Sequence, residues 1–430
     1  MRFAIANAAS FGALHLVQFA RLLLVAASIV FAGLMPARAT PMLLVDMETL
    51  EVLYEQEAGQ PWHPASLTKL MTAYVTFEKI DEGRIALDTV ITMSRAAVSQ
   101  APSSSGLKPG SSITLKDALY VLVVHSANDI AWAIAEAVGG SEPEFVDMMN
   151  EAAARMGLGA THFTNPNGLH DSEQVTSARD IAVLALYLRQ SFPQYLPIFE
   201  TEVVTLGKAN MKTNNNLLTH FAGTTGMKTG FVCASGLNIV ATIDRGGRSL
   251  MAVVLGGSSA RERGEMTAGL FLRALSGALA GTGKNIVQVA NQQVAPVDMR
   301  PLLCGKGAKA YVAQREAEFP LGLDGQPSNL TDDVNGLSYA ATDLGVIVKG
   351  VPLPRPRPDH ARGTMQQAIV EIGPNSIEAI GPNSVESIAS DMVETIGPNS
   401  VTTPTPVVIG VTPDGAPVPY PRPRPGLQQG

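Results

Sequence analysis

The chain has 430 residues, a formal net charge of −7 and an apolar fraction of 46%. That length allows more than one domain, and the apolar content is ample for a sizeable core; nothing in it suggests collagen or a coiled coil. The acidic balance argues against nucleic acid as a partner.

The chain opens on a targeting segment. Arg2 and Arg21 supply positive charge, Leu22 to Met35 is an apolar run short for a membrane span, and Ala37-Arg38-Ala39 is a small-x-small cleavage site. A secretory signal spanning 1–39 and cut after Ala39 fits this pattern; an uncleaved anchor is the other reading. Cleavage removes Arg2, Arg21 and Arg38 and no acid, so the mature chain is still more acidic. The two cysteines, Cys233 and Cys304, fall in the exported part, where an oxidising compartment permits a disulfide. Two buried free thiols are the alternative, and spacing does not decide. No Cys/His cluster has zinc spacing and there is no His-Glu-x-x-His, so no metal or cofactor is expected.

Residues 42–46 and 52–55 read as strands joined by a tight turn. Pro61 and Pro64 keep the next stretch extended, and Leu67, Leu70, Met71 and Val75 then recur at helical spacing, predicting a helix over 66–80 with Ser66 at its N-cap or first turn. Thr89 to Met93 reads as a short strand. Leu115 to Val124 is helical, breaks at His125-Ser126-Ala127-Asn128, and resumes from Asp129 to Val138. Glu142 to Met156 and Ser177 to Leu188 are amphipathic helices. Segments 200–206, 224–231, 236–244 and 249–256 are β-like, and Arg261 to Leu279 returns to helix. This order predicts an α+β fold: an antiparallel sheet shared by both ends of the segment, with helices packed on it. Residues 286–350 read as a small β-rich extension. From Val351 a Pro-Arg run (Pro354 to Pro358, repeated at Pro421 to Pro425) brackets octads starting at Ile372, Ile380, Ile388 and Ile396, which predicts an extended or disordered tail.

Three short motifs carry chemistry. In Ser66-Leu67-Thr68-Lys69 a helical spacing of three puts hydroxyl and amine side by side, so a desolvated Lys69 can take the proton of a Ser66 nucleophile. Ser-x-x-Lys alone arises about once or twice by chance in a chain of this length. The second copy, Ser105 to Lys108, contains Gly106 and precedes Pro109-Gly110, and reads as a structural loop. In Ser126-Ala127-Asn128, at the helix break, Ser126 could relay a proton and Asn128 could hold Lys69 or a substrate amide. His125 is adjacent but does not face Ser126, and reads as a packed or surface histidine. In Lys228-Thr229-Gly230, on a β-like segment, a lysine and a hydroxyl suit a carboxylate, and Gly230 admits close backbone approach.

Together, Ser66-Leu67-Thr68-Lys69, Ser126-Ala127-Asn128 and Lys228-Thr229-Gly230 resemble the penicillin-binding proteins and serine β-lactamases. Pro64 to Tyr74, Thr161 to Leu169 and Gly226 to Phe231 narrow the resemblance to low-molecular-mass D-alanyl-D-alanine carboxypeptidases, over about residues 40–280. The resemblance implies a β-lactamase/transpeptidase-like antiparallel sheet with a helical subdomain, and a catalytic domain over 40–285. It implies a periplasmic serine enzyme that trims the terminal D-alanine from peptidoglycan pentapeptide stems and is acylated by β-lactam antibiotics. Ser66 would be the nucleophile, Lys69 its base, Ser126 and Asn128 the middle element, and Lys228 and Thr229 the carboxylate site. The backbone N–H groups of Ser66 and Phe231 would form the oxyanion hole, and Arg263 would support carboxylate binding. Family members often carry His or Thr where Phe231 stands, so the resemblance assigns Phe231 its backbone N–H and no side-chain role.

Rival readings share this machinery. A class A β-lactamase would need a further glutamate, and no Glu-x-x-Leu-Asn follows the middle motif. A D,D-endopeptidase cutting cross-links is not separated by sequence. A non-catalytic peptidoglycan-binding protein is disfavoured because no motif residue is missing. Gly281-Thr282-Gly283-Lys284 lacks phosphate-loop spacing, and no Gly-x-Ser-x-Gly elbow occurs. Carboxypeptidases of this kind often end in an amphipathic membrane helix. Pro419 to Gly430 cannot form one, so a soluble or wall-associated protein is expected, with the tail as spacer or as a docking segment for an unknown partner.

Overall fold

The computed structural model describes residues 40–346, 408–411 and 417–419. In chain order, β1 (Met42–Asp46) and β2 (Val52–Gln56) precede a 3-10 turn (Ala65–Thr68) that runs into α1 (Lys69–Asp81). Next come β3 (Val90–Thr92), α2 (Arg95–Val98), β4 (Ser111–Thr114) and α3 (Leu115–Tyr120), which continues as a π-helical turn (Val121–His125). The helices α4 (Asn128–Gly139), α5 (Glu142–Arg155), α6 (Ala178–Ser191) and α7 (Leu196–Glu200) follow. The chain then returns to strands: β5 (Thr201–Leu206), β6 (Ala209–Lys212), a short helix α8 (Leu217–His220), β7 (Thr224–Val232), β8 (Gly236–Arg245) and β9 (Arg248–Gly257). Beyond them lie α9 (Ala260–Leu275), α10 (Arg300–Leu303), α11 (Ala308–Glu318), β10 (Leu337–Ala341) and β11 (Gly345–Val346).

The main sheet has the order β2-β1-β9-β8-β7, with every pair antiparallel. β1 closes onto β9 with Leu43 opposite Val253, so the two ends of the segment share one sheet as the strand–helix–strand order predicts. Both faces are buried, and the two-residue period sorts the side chains between them. Leu43, Val45, Val240, Met251 and Val253 enter the core that includes Leu70, Phe77 and Ile134. Met42, Leu44, Ile239, Leu250 and Val254 enter a second core against Ala268 and Phe271 of α9. α1 is buried along Lys69 to Phe77, with Leu70, Met71, Ala73, Val75 and Phe77 in the core and Lys69, Thr72 and Thr76 as a buried polar face. Truncating fully buried Phe77 to Ala would cost about 3–5 kcal/mol. Serines at 141, 177 and 259 cap α5, α6 and α9 by accepting from the third amide of each helix.

Several expectations are corrected. The 66–80 helix starts as a 3-10 turn, and Ser66 lies within that turn without capping it. The short elements α2, β4 and β6 were too brief for periodicity to mark. α9 stops at Leu275, before the left-handed Gly277 (φ 75°), not at Leu279.

The largest correction concerns 286–350, which is not a β-rich extension of its own. It carries the helix α11, and its two strands join sheets begun by other segments: β10 runs parallel to β5, and β11 pairs with β4. Cys304 is bonded to Cys233, just past β7. Arg315 of α11 pairs with Glu262, and Arg261 donates to the carbonyls of Phe319 and Leu321. Tyr339 stacks on Tyr120 with ring centroids 3.5 Å apart and donates its hydroxyl to Asp117. Residues 40–346 therefore belong to one unit. Of the tail only β12 (Val408–Val411) and β13 (Pro417–Pro419) are described; they pair antiparallel, which an extended tail did not foresee. The targeting segment, the octads and both Pro-Arg runs lie outside the described residues.

Candidate active site

The nucleophile turn is shaped by close backbone contacts. Ala65 adopts a left-handed conformation (φ 49°), costly for a residue with a β-carbon and sustained by its surroundings. One neighbour is Gly168, where an added β-carbon would fall 2.0 Å from the Ala65 carbonyl oxygen. Ser66 Oγ lies 2.9 Å from Lys69 Nζ. Lys69 is 0% exposed, and its Nζ also donates to Asn128 Oδ1 at 2.7 Å and to the carbonyl of Asn167. Burial, followed by the nearby charge of Lys228, holds the Lys69 ammonium well below the ordinary lysine range, and Asp129 opposes only in part. A neutral amine suits these partners. The two carbonyl oxygens can only accept, so the amine's two hydrogens go to them and its lone pair is left for the Ser66 hydroxyl, the one neighbour able to donate.

The middle motif sits where the π-helical turn ends. Ser126 is left-handed (φ 64°), a second strained non-glycine position in the site. Asn128 opens α4 and is fixed by its amide, which donates to the Ser103 carbonyl at 2.7 Å. The next residue, Asp129, accepts from the Ser105 amide and hydroxyl, so the second Ser-x-x-Lys is a loop brace: Ser105 is buried in that bond and Lys108 faces solvent. His125 is half-buried, and burial lowers its pKa.

The third motif lies on β7, an edge strand of the main sheet. Lys228 Nζ donates to Ser126 Oγ at 2.9 Å and to the Thr229 carbonyl at 2.8 Å. Burial, with the positive charge of Arg263 adding to it, lowers Lys228 to about 7. Arg263 reaches the same region from α9. It is buried, which lowers it to about 10; one Nη donates to the Asn214 carbonyl, while its Nε has no hydrogen-bond partner among the described residues. Ser66, Ser126, Thr229, Gly230, Phe231 and Arg263 line a single cleft of about 340 Å³ with Ser103 and Asn214. Phe231 stands at its rim, 51% exposed. A larger cavity of about 480 Å³, bordered by Asn150, His162 and Val289, contains none of the motif side chains.

All nine sequence-derived site positions thus converge, and Cys233 is linked to Cys304 immediately beyond them (Cα–Cα 5.8 Å). Sequence reasoning missed Asn167, whose contribution is a backbone carbonyl and carries no side-chain signature. The Thr161 to Leu169 stretch already stood out as a block, and Thr72 Oγ1 docks it onto α1 by donating to the Pro166 carbonyl. Among the described residues no group of three or more His, Cys, Asp or Glu could hold a metal, and no helix is long and apolar enough to cross a membrane.

A serine beside a buried, neutral-leaning lysine, with Arg263 lining the same cleft and Lys228 buried behind Ser126, on a β-lactamase/transpeptidase-like fold, is the arrangement of the penicillin-binding-protein class. Within that class the family model Peptidase_S11, D-alanyl-D-alanine carboxypeptidase, matches residues 32–259, and the chain belongs to this family. It is 33% identical over 225 residues to D-alanyl-D-alanine carboxypeptidase DacF of Bacillus subtilis, covering 51% of this chain and 58% of that one. The chain therefore spans somewhat under two thirds of that curated relative. The fold is similar to the crystal structure of D-alanyl-D-alanine carboxypeptidase DacD from Francisella tularensis (TM-score 0.53, 28% identity, covering 56% of this chain and 72% of that one). It is also similar to penicillin-binding protein D2 from Listeria monocytogenes in its cefotaxime-bound form (TM-score 0.50, 29% identity, covering 55% and 96%).

Proposed function

We propose that this chain is a serine-type D-Ala-D-Ala carboxypeptidase that removes the terminal D-alanine from peptidoglycan pentapeptide stems through an acyl-enzyme on Ser66. The observation that carries the reading is the 2.9 Å contact between Ser66 Oγ and the depressed Lys69, at a cleft that Arg263 also lines and behind which Lys228 bonds Ser126. A D-Ala-D-Ala end needs both: a nucleophile for the peptide carbonyl and cations for the terminal carboxylate.

In this mechanism Lys69 takes the Ser66 proton as Oγ attacks the carbonyl carbon. The backbone N–H groups of Ser66 and Phe231 stabilise the oxyanion. As the C–N bond breaks, the proton passes from Lys69 through Ser126 to the leaving amine, and Asn128 holds Lys69 in line. Water then attacks the ester, releases the shortened peptide and returns the proton to Ser66. Lys228, Thr229 and Arg263 hold the terminal carboxylate up to acylation, and it departs with the D-alanine released when the C–N bond breaks. β-Lactams would acylate the same serine, as the cefotaxime-bound form of the Listeria protein suggests. The targeting segment over 1–39 supports a periplasmic location, soluble or wall-associated, for a catalytic domain over 40–285.

The test is D-alanine release from a pentapeptide ending in D-Ala-D-Ala, with Ser66→Ala as control. Release that depends on Ser66 supports the reading. Cleavage of cross-linked dimers without release from pentapeptide would make the protein a D,D-endopeptidase instead.

A further inference from the structure

We propose that Arg315 of the 300–346 extension is a positioning residue for Arg263, acting through Glu262, and so sets how tightly the cleft holds a substrate carboxylate. The proposal rests on the acyl-enzyme reading above and goes beyond it to residues outside the family-matched 32–259.

Glu262 is 0% exposed and uses both carboxylate oxygens. One accepts from the Ser258 amide at 2.7 Å and from the Ser258 hydroxyl; the other accepts from Arg315 Nε at 2.9 Å and from an Nη of the same guanidinium. Its own amide is capped by Ser259 at 3.1 Å. A single buried carboxylate thus ties together the end of β9, the first turn of α9 and the helix α11. Arg263 is the next residue; its guanidinium donates to the Asn214 carbonyl and its own amide to the Ser259 carbonyl, so its direction follows the backbone of that turn. The turn has little slack. A β-carbon on Gly257 would meet the Arg263 Cβ at 3.0 Å, and one on Gly264 would meet the Asn216 amide at 2.6 Å.

Removing Arg315 leaves Glu262 charged and buried without its counter-ion, a state proteins avoid by shifting the group toward water or another cation. Either movement displaces the first turn of α9 and with it the guanidinium at the cleft. The consequence is specific: binding of the carboxylate weakens while Ser66 and Lys69, held by other elements, keep their geometry.

The test compares acylation of the full chain by benzylpenicillin, which carries a carboxylate, and by its methyl ester, which does not. Arg315→Met should lower the second-order rate with benzylpenicillin about tenfold and leave the rate with the ester at the wild-type value. With a D-Ala-D-Ala peptide the same variant should raise KM and leave kcat near wild type, and Arg315→Lys should recover part of the loss. Equal losses with both probes would reduce Arg315 to a stability residue and overturn the proposal, as would an unchanged rate ratio. If Arg315→Met does not fold, the rate ratio in Arg315→Lys, which keeps the charge but loses the two-pronged contact, decides in the same way. Wild-type protein that reacts with neither probe would overturn the Ser66 assignment, and this inference with it.

Discussion

Gly230 and Ser66 meet backbone to backbone: a β-carbon on Gly230 would sit 2.8 Å from the Ser66 amide nitrogen and 3.0 Å from the Pro64 carbonyl oxygen. The glycine is required by space at the nucleophile turn. That is a different role from admitting substrate backbone, which the motif alone suggests.

Gly230→Ala should therefore displace the turn without removing any reacting group. Acylation of Ser66 is expected to fall about a hundredfold, with about 1–3 kcal/mol of stability lost to overpacking. Benzylpenicillin acylation kinetics beside a thermal melt measure the two effects; a fully active Gly230→Ala variant would contradict this account of the turn.

Lys69→Arg keeps a cation in place but one that does not deprotonate at working pH. Loss of the general base should lower acylation roughly a hundredfold to ten-thousandfold. In the wild type the rate should rise with pH on the acid side as Lys69 gives up its proton, and that limb should be absent from the variant. A pH–rate profile of both proteins tests this directly.

The buried lysines also set how stability depends on pH. Lys228 is about 7 in the folded chain against an ordinary 10.5. Between these values the unfolded chain binds a proton that the folded chain does not, so the free energy of unfolding contributed by Lys228 rises as pH rises from about 7 toward 10.5. Lys69, lowered chiefly by burial, acts in the same direction. Lys228→Met should flatten this slope, measurable as urea midpoints at about pH 6 and about pH 9. An unchanged slope would show that Lys228 keeps its proton in the fold.

Cys233 lies two residues beyond Phe231, and its bond to Cys304 closes a loop with a sequence separation of 71. Cys304→Ser should lower stability by about 4 kcal/mol in the chain-entropy model. Acylation well below the melting temperature should survive, because Ser66, Lys69 and Lys228 are held by other contacts. Denaturant titration and acylation of the variant separate the two.

Much of this site is legible in the sequence because its chemistry is carried by side chains on strongly patterned elements. Leu67, Leu70, Met71 and Val75 mark the helix beneath Ser66, and the break at His125 to Asn128 marks where Ser126 must turn outward. What is not legible rests on backbone and on distance. The Asn167 carbonyl completes the lysine's environment from 98 residues away, and Gly168 matters through the room it leaves Ala65. The 286–350 stretch misleads because the apolar run Tyr311 to Ala313 falls in α11, and its strands β10 and β11 pair with β5 and β4, which lie far from it in sequence, so that neither partner's periodicity announces the other.

The most direct measurement is the intact mass of the protein after incubation with benzylpenicillin, beside Ser66→Ala. The account predicts a lasting adduct of one drug molecule, mapped to Ser66 and absent from the variant. Rapid drug loss with no adduct would assign a β-lactamase activity, and a folded protein showing neither adduct nor drug loss would contradict the acyl-transfer reading altogether.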